Sequence, residues 1–307
     1  MIESSYNEFL REKIFQLFNK EEALKFMEDS ERPRPTVIRV NNTKIKRKEL
    51  ARMLISRGME VDPLEWCPHA LVVYKSPVPV GATPEYLGGY YTIQGASSLL
   101  PVLSLDPKPG DVVIDMCAAP GGKTTHIAAC MENTGILYCN EINESRISSL
   151  RGNIARMGVT NAIITMMDAR KILNIRVNKV LLDAPCSGTG IISRDHSIKI
   201  SKSQQELKKL TKTQKELILR GFDMLKVGGK MAYSTCSVLV EENEEVVNYL
   251  LSKRPHAKLG DCVEIGRPGF VNFRGMAFDK TMSKARRVYP HVHNMDGFFI
   301  AIIERKG

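Results

Sequence analysis

Apolar positions change rhythm along the chain. In residues 1–30, Leu10, Ile14, Leu17, Phe18 and Leu24 recur at helical spacing among charges and predict one helix. Pro33 and Pro35 end it, because a proline drives its predecessor out of the helical region. Thr36–Val40 and Leu71–Tyr74 read as short strands, and Lys46–Arg57 as a basic amphipathic helix. Prolines 77, 79 and 84 with Gly81 mark a loop. Beyond it, apolar runs predict strands at Val112–Met116, Gly135–Asn140, Ala162–Met166, Val180–Asp183, Met231–Thr235 and Gly297–Ile303. Helical stretches alternate with them at Thr124–Met131, Asn143–Met157 and Gln204–Leu225. That alternation predicts an α/β fold with a doubly wound sheet, preceded by a small α+β unit. The boundary is expected after residue 86, giving units 1–86 and 87–307.

The sharpest motif follows the first strand of the larger unit. Asp111–Thr124 runs from that strand through a loop of small residues into a helix. Ligands in open α/β sheets sit at the carboxyl ends of the strands. A P-loop requires a glycine at position 117, which is Cys117, and no G-x-G-x-x-G occurs in this loop. S-adenosylmethionine carries no phosphate. It needs close backbone around its amino-acid end, a carboxylate for the ribose and a polar group at the adenine edge. Glu141 and Asp168, at the ends of the next two strands, are positioned for these tasks if the strands are parallel neighbours. Taken singly, Asp168 reads as a turn or cap aspartate, Glu141 as a solvated strand end and Lys123 as a surface lysine. The ordered series of loop, Glu141, Asp168 and Asp183 is the stronger signal.

Seven cysteines occur without a C-x-x-C pair, which disfavours a zinc ribbon or a disulfide scaffold and favours a reducing compartment. A lone cysteine is usually a small buried hydrophobe, which suits Cys130, Cys139 and Cys262. Cys117 reads as packing within the cofactor loop. Cys186 and Cys236 instead follow strand ends in Gly/Ser/Thr-rich turns, where side chains meet substrate. Carbon 5 of a pyrimidine is a poor nucleophile. Addition of a thiolate at carbon 6 makes carbon 5 enamine-like, and an acid near ring nitrogen 3 stabilises the adduct. Two thiols and Asp183 suit that chemistry, but spacing alone leaves open which thiol adds.

The segments DMCAAPGGKT, LLDAPCSGTG, STCS and EENE resemble the RNA cytosine-5 methyltransferases of the RsmB/Nop/Sun family. The likeness extends over nearly the whole chain, through Pro35–Asn41 and Gln94–Ser98 to the YPHVHNMDGFF segment. GATPEYLGGYYTIQGASS and YPHVHNMDGFF are most similar to the nucleolar branch acting on large-subunit ribosomal RNA. The resemblance implies a Rossmann-like S-adenosylmethionine-dependent methyltransferase sheet, mostly parallel with its last strand reversed. It implies Cys236 as nucleophile, Cys186 as an aid to product release and Asp183 at the cytosine edge near the cofactor. Cys117, Ala118, Ala119, Pro120, Gly121, Gly122 and Lys123 would wrap the methionine part, Glu141 the ribose and Asp168 the adenine. Many members carry Asp where this chain has Glu141. The implied location is the nucleolus, or the cytoplasm for an archaeal relative.

Charge agrees with an RNA partner. The 307 residues hold 44 Lys+Arg against 34 Asp+Glu, a net +10, and such a surplus favours polyanions. Basic residues cluster at 44–48, 199–215 and 284–287, with Arg194 and Lys199 nearest the expected cleft. His291 and His293 read as packing or RNA contacts, and no metal site is expected. Neither a signal peptide at the N-terminus nor an apolar run of membrane-spanning length is seen.

Overall fold

The computed structural model describes residues 2–172 and 175–307. It opens with two helices where one was expected, Glu8–Leu17 and Lys20–Glu31. Asn19 causes the break: its side chain accepts the backbone N–H of Glu22 at 3.0 Å and caps the second helix, leaving Phe18 extended. A cap of this kind supplies a partner for one of the free N–H groups of a helix start. Both helices bury their apolar faces on the larger unit. Leu10, Ile14, Phe26 and Met27 share a core with Ile192, Ile198, Val238, Leu239 and Tyr289.

A four-stranded antiparallel sheet follows, from β1 (Thr36–Val40), β2 (Glu60–Pro63), β3 (Ala70–Lys75) and β4 (Tyr91–Ile93), in the order β2-β3-β1-β4. The helix Arg47–Ser56 packs Leu50 and Leu54 on it, against Ile38, Leu71 and Tyr91. The fourth strand lies beyond residue 86, so a division there would cut through this sheet. The three-residue strand Tyr91–Ile93 is too short to give a periodic signal.

The second sheet has nine strands: β5 (Val112–Asp115), β6 (Ile136–Glu141), β7 (Ala162–Met166), β8 (Val177–Asp183), β9 (Leu225–Thr235), β10 (Ala257–Gly260), β11 (Arg267–Pro268), β14 (Arg286–Val288) and β15 (Phe298–Arg305). A two-residue hairpin, β12 (Asn272–Phe273) and β13 (Met276–Ala277), stands apart. The order is β11-β14-β15-β9-β8-β5-β6-β7, with β10 beside β15. β7, β6, β5, β8 and β9 are mutually parallel, and β15 runs antiparallel to β9, as expected. The order reverses around β5, so the carboxyl ends of β5, β6, β8 and β9 share one crevice. The apolar runs in these strands reflect burial on both faces. Val180, Leu182, Met231 and Tyr233 fill one core, and Leu181, Ala232, Ile300 and Ile302 fill the other. Among the described residues no helix is long and apolar enough to cross a membrane.

Candidate active site

The crevice contains a hollow of about 420 Å³, bordered by Ile93 at the end of the small sheet and otherwise by residues 94–298. Asp115, Cys117, Ala118, Ala119, Pro120, Gly122 and Lys123 form its floor, and Asp183, Cys236 and Phe298 one wall. A smaller hollow of about 90 Å³ adjoins it through Cys117 and is lined by Glu141, Ile142, Asp168 and Pro185 among others. The expected cofactor residues therefore fall into two linked compartments. Gly121, which lines neither, turns the loop into the helix Gly122–Cys130 at φ +104°, where a Cβ would meet Leu150 at 3.1 Å.

The acidic groups of the crevice are unequal. Asp115 is fully buried. One of its oxygens accepts from Thr124 Oγ1 at 2.7 Å and the other has no partner. Burial pushes its pKa up to about 7, against the help of Thr124. Glu141 is likewise buried. Its Oε1 accepts the Asn143 N–H at 2.9 Å, while Oε2 faces Arg146 at 3.5 Å without a hydrogen bond. A buried carboxylate oxygen with spare capacity fits a ribose hydroxyl donor. Asp168 lines the smaller hollow, yet both its oxygens already accept from the Arg170 guanidinium, at 2.9 and 2.7 Å. It also caps the turn that follows, and the hydrogen bonds from Arg170 hold its pKa below the usual carboxylate range. Asp168 thus caps the turn and also borders the smaller hollow.

Two strand ends bring the cysteines together. Cys186 follows β8, Cys236 follows β9, and their sulfurs lie 3.0 Å apart. Cys236 lines the larger hollow, and Cys186 is not among its lining residues. The hydrogen bond to Cys236, reinforced by burial, raises the Cys186 pKa. Ionisation of Cys186 is therefore disfavoured in this setting. Cys117 is pushed up as well, by burial and then by Asp115, which suits a packing role over a nucleophilic one.

Asp183 stands beside the pair. Its Oδ1 accepts from Ser234 Oγ at 2.8 Å, and its Oδ2 from Lys123 Nζ at 2.7 Å. Lys123 was expected at the methionine end of a cofactor. It lines the larger hollow with the rest of that loop and also reaches across to Asp183, with its ammonium 5.4 Å from the Phe298 ring centre. Start-of-helix position alone could not reveal this, because β8 is contributed from sixty residues further on.

Two supporting residues, Glu242 and Arg39, lie in segments that carry the resemblance but were given no role from the sequence. Glu242 is fully buried. It accepts from Ser187 N at 2.8 Å, Ser187 Oγ at 2.5 Å and Gln214 Nε2 at 3.0 Å, and so fixes the loop holding Cys186. Arg39, also buried, donates to Gln94 Oε1 at 2.9 Å and Thr125 Oγ1 at 2.8 Å, joining the small sheet to the glycine-loop helix. Arg194 lines the hollow as expected but is paired with Asp296. Lys199 is not free for RNA: its Nζ bonds Glu31 at 2.6 Å and sits over Tyr6, tying down the N-terminal helices. His291 packs edge-on against Phe18 and Phe26, with Nε2 3.1 Å from Glu22. His293 faces the Tyr289 backbone. Among the described residues no three His, Cys, Asp or Glu side chains converge as a metal site.

Parallel strands in this order, a reversed terminal strand and a small-residue loop after the first strand define the Rossmann-like methyltransferase class. The chain belongs to the 16S rRNA methyltransferase RsmB/F family, whose model matches residues 102–304. The N-terminal domain of 16S rRNA methyltransferase RsmF matches residues 7–96. The chain is 50% identical over 309 residues to the 26S rRNA (cytosine-C(5))-methyltransferase nsun-1 of Caenorhabditis elegans, covering 98% of this chain and 46% of that protein. It is 47% identical over 304 residues to the 28S rRNA (cytosine(4447)-C(5))-methyltransferase of Homo sapiens, covering 97% and 37%. The chain thus spans about half, or less, of these relatives' length. A methyltransferase homolog from Pyrococcus horikoshii superposes with a TM-score of 0.90 at 36% identity, covering 100% of this chain and 99% of that one. NSun6 from Pyrococcus horikoshii, solved with SFG, superposes with a TM-score of 0.88 at 28% identity, covering 99% of each.

Proposed function

We propose that this chain transfers a methyl group from S-adenosylmethionine to carbon 5 of a cytidine in large-subunit ribosomal RNA, through a covalent adduct on Cys236. The observation that carries the reading is the thiol pair 3.0 Å apart beside Asp183, at neighbouring ends of parallel strands. Relatives named as large-subunit rRNA cytosine-C5 methyltransferases support the substrate. Nucleolar residence, implied by the resemblance, goes with it.

The residues present fit the cofactor. Glu141 would hold the ribose with its spare oxygen, Asp168 would border the adenine, and the 117–123 loop would hold the methionine part. S-adenosylmethionine, when bound, supplies an electrophilic methyl group. The target base must be unpaired or flipped, since the sulfur approaches its face. The Cys236 thiolate adds to carbon 6, and the carbon 5–carbon 6 electron pair moves to carbon 5. Ring nitrogen 3 takes up a proton from solvent as the adduct forms, and Asp183, braced by Lys123 and Ser234, accepts a hydrogen bond from that N–H and holds it there, so that the ring does not carry negative charge. After methylation, a solvent water takes the carbon 5 proton, the C5–H electron pair re-forms the carbon 5–carbon 6 double bond, and the carbon 6–sulfur bond breaks with its pair on the Cys236 sulfur, while the proton at ring nitrogen 3 is given up again. The Cys186 S–H, next to that sulfur, stabilises the departing thiolate.

A denaturing gel with labelled cytidine-containing RNA and cofactor tests these roles. Cys186→Ala should add and methylate but release slowly, accumulating a denaturation-resistant conjugate. Cys236→Ala and the double variant should give neither conjugate nor product. A conjugate in Cys236→Ala that is absent from Cys186→Ala would reverse the two roles.

A further inference from the structure

A second hollow, of about 240 Å³, opens beside the first, and the two share Gly95, Arg194 and Asp296 as a common wall. Its other side is formed by Arg34, Trp66 and Tyr74. Trp66 is the chain's single tryptophan and is only partly buried, although it packs on the core. Tyr74 is 65% exposed. Arg34 donates to Arg32 O at 2.9 Å and Asn294 Oδ1 at 3.2 Å, uncharged acceptors that fix the guanidinium, while the Asp29 and Asp296 carboxylates act on its charge from further off. Arg194 is held by Asp296 Oδ2, and that pair lies so close to Gly95 that a Cβ there would stand 2.4 Å from the Arg194 Nη2. The remaining oxygen of Asp296, Oδ1, is buried and has no partner. The small sheet therefore brings aromatic faces and a fixed cation to the edge of the catalytic hollow. A spare buried acceptor lies in the dividing wall.

We infer that this second hollow receives the nucleobase adjacent to the target cytidine on the same RNA strand. The inference rests on the RNA reading above. Three observations select this occupant. The hollow adjoins the catalytic one across a shared wall, and a strand that delivers one base to Cys236 must place its neighbour close by. Aromatic side chains offer sequence-tolerant stacking, and cations beside them take the connecting phosphates. Asp296 Oδ1 accepts only a donor, so a ribose hydroxyl or base N–H crossing the wall satisfies it. The small domain thus holds the strand in register and not merely by charge.

The single tryptophan makes the test direct. A short single-stranded RNA with a central cytidine is titrated while Trp66 emission is followed, and the same RNA is compared with versions abasic at either neighbouring position. Emission should be quenched by the intact RNA, and one abasic version should bind roughly tenfold or more weakly with the quench lost. Tyr74→Ala and Trp66→Ala should each raise the KM for RNA while leaving the cofactor Kd unchanged, and Trp66→Phe should restore most of the affinity. If the RNA is methylated normally while Trp66 emission and both abasic affinities stay unchanged, the subsite is wrong and the proposed reaction stands. If the RNA is neither bound nor trapped by Cys186→Ala, the proposed function falls and this inference with it.

Discussion

At the scale of single residues, the site depends on which groups keep their protons. The bond to Cys236 and burial raise the Cys186 pKa, so this thiol resists ionisation before any substrate arrives. Asp115 poses a separate question of pH. Its folded pKa is raised to about 7, whereas an unfolded aspartate titrates near 4. Between those values the unfolded chain ionises this group and the folded chain does not. Stability from this residue is therefore full below about pH 4 and is lost as pH rises toward 7. The loss is on the order of a few kcal/mol. Asp115→Asn removes the titration, so the gap in thermal midpoint between variant and wild type should shift in the variant's favour from pH 5 to pH 8. A gap independent of pH would mean that Asp115 is ionised throughout.

At the scale of elements, the long strands and helices of the larger unit were legible because burial on both faces writes uninterrupted apolar runs. Phe298–Arg305 is the buried reversed strand, whereas Ala162–Met166 has the limits expected although it lies at the sheet edge with Ile163 and Met166 exposed. Short pieces escaped: Tyr91–Ile93 has three residues, and the break between the first helices rests on one asparagine side chain. The motif cysteines and carboxylates were legible as strand-end residues. Their partners were not, since Lys123–Asp183 and Glu242–Ser187 join positions about sixty residues apart. Glu242 shows what such a partner does. It ties the loop after β8 to the turn after β9 and to the helix Gln204–Met224, so it aligns the two cysteine-bearing ends. Glu242→Ala would leave the Ser187 N–H and hydroxyl and the Gln214 amide without their buried acceptor, at a cost of about 3 kcal/mol. A drop in thermal midpoint of roughly 5 °C or more is expected, with Glu242→Gln losing clearly less. Equal midpoints for Glu242→Ala and wild type would remove its anchoring role.

At the scale of the whole molecule, charge and shape divide the work of binding. The net +10 is spread over basic segments, and many of those cations are already committed internally: Lys199 to Glu31, Arg194 to Asp296 and Arg287 to the buried Glu244. The count of positive residues therefore overstates the number free for phosphates. Each phosphate neutralised on single-stranded RNA contributes about −0.7 to the slope of log affinity against log salt. A few contacts made by free lysines and arginines give a slope of roughly −2 to −4, far below what the basic residue count suggests. The compartments proposed for the cofactor are lined by buried carboxylates and close backbone, where screening by salt is weak. Raising salt from 50 to 300 mM should thus weaken RNA binding steeply while leaving the cofactor Kd within a factor of two. Anisotropy of labelled RNA and calorimetry of the cofactor measure the two independently. A flat RNA titration would mean that stacking and shape, rather than phosphate contacts, carry the affinity; a cofactor Kd that follows the RNA slope would mean that its site is open to solvent charge and not enclosed between β5, β6 and β8.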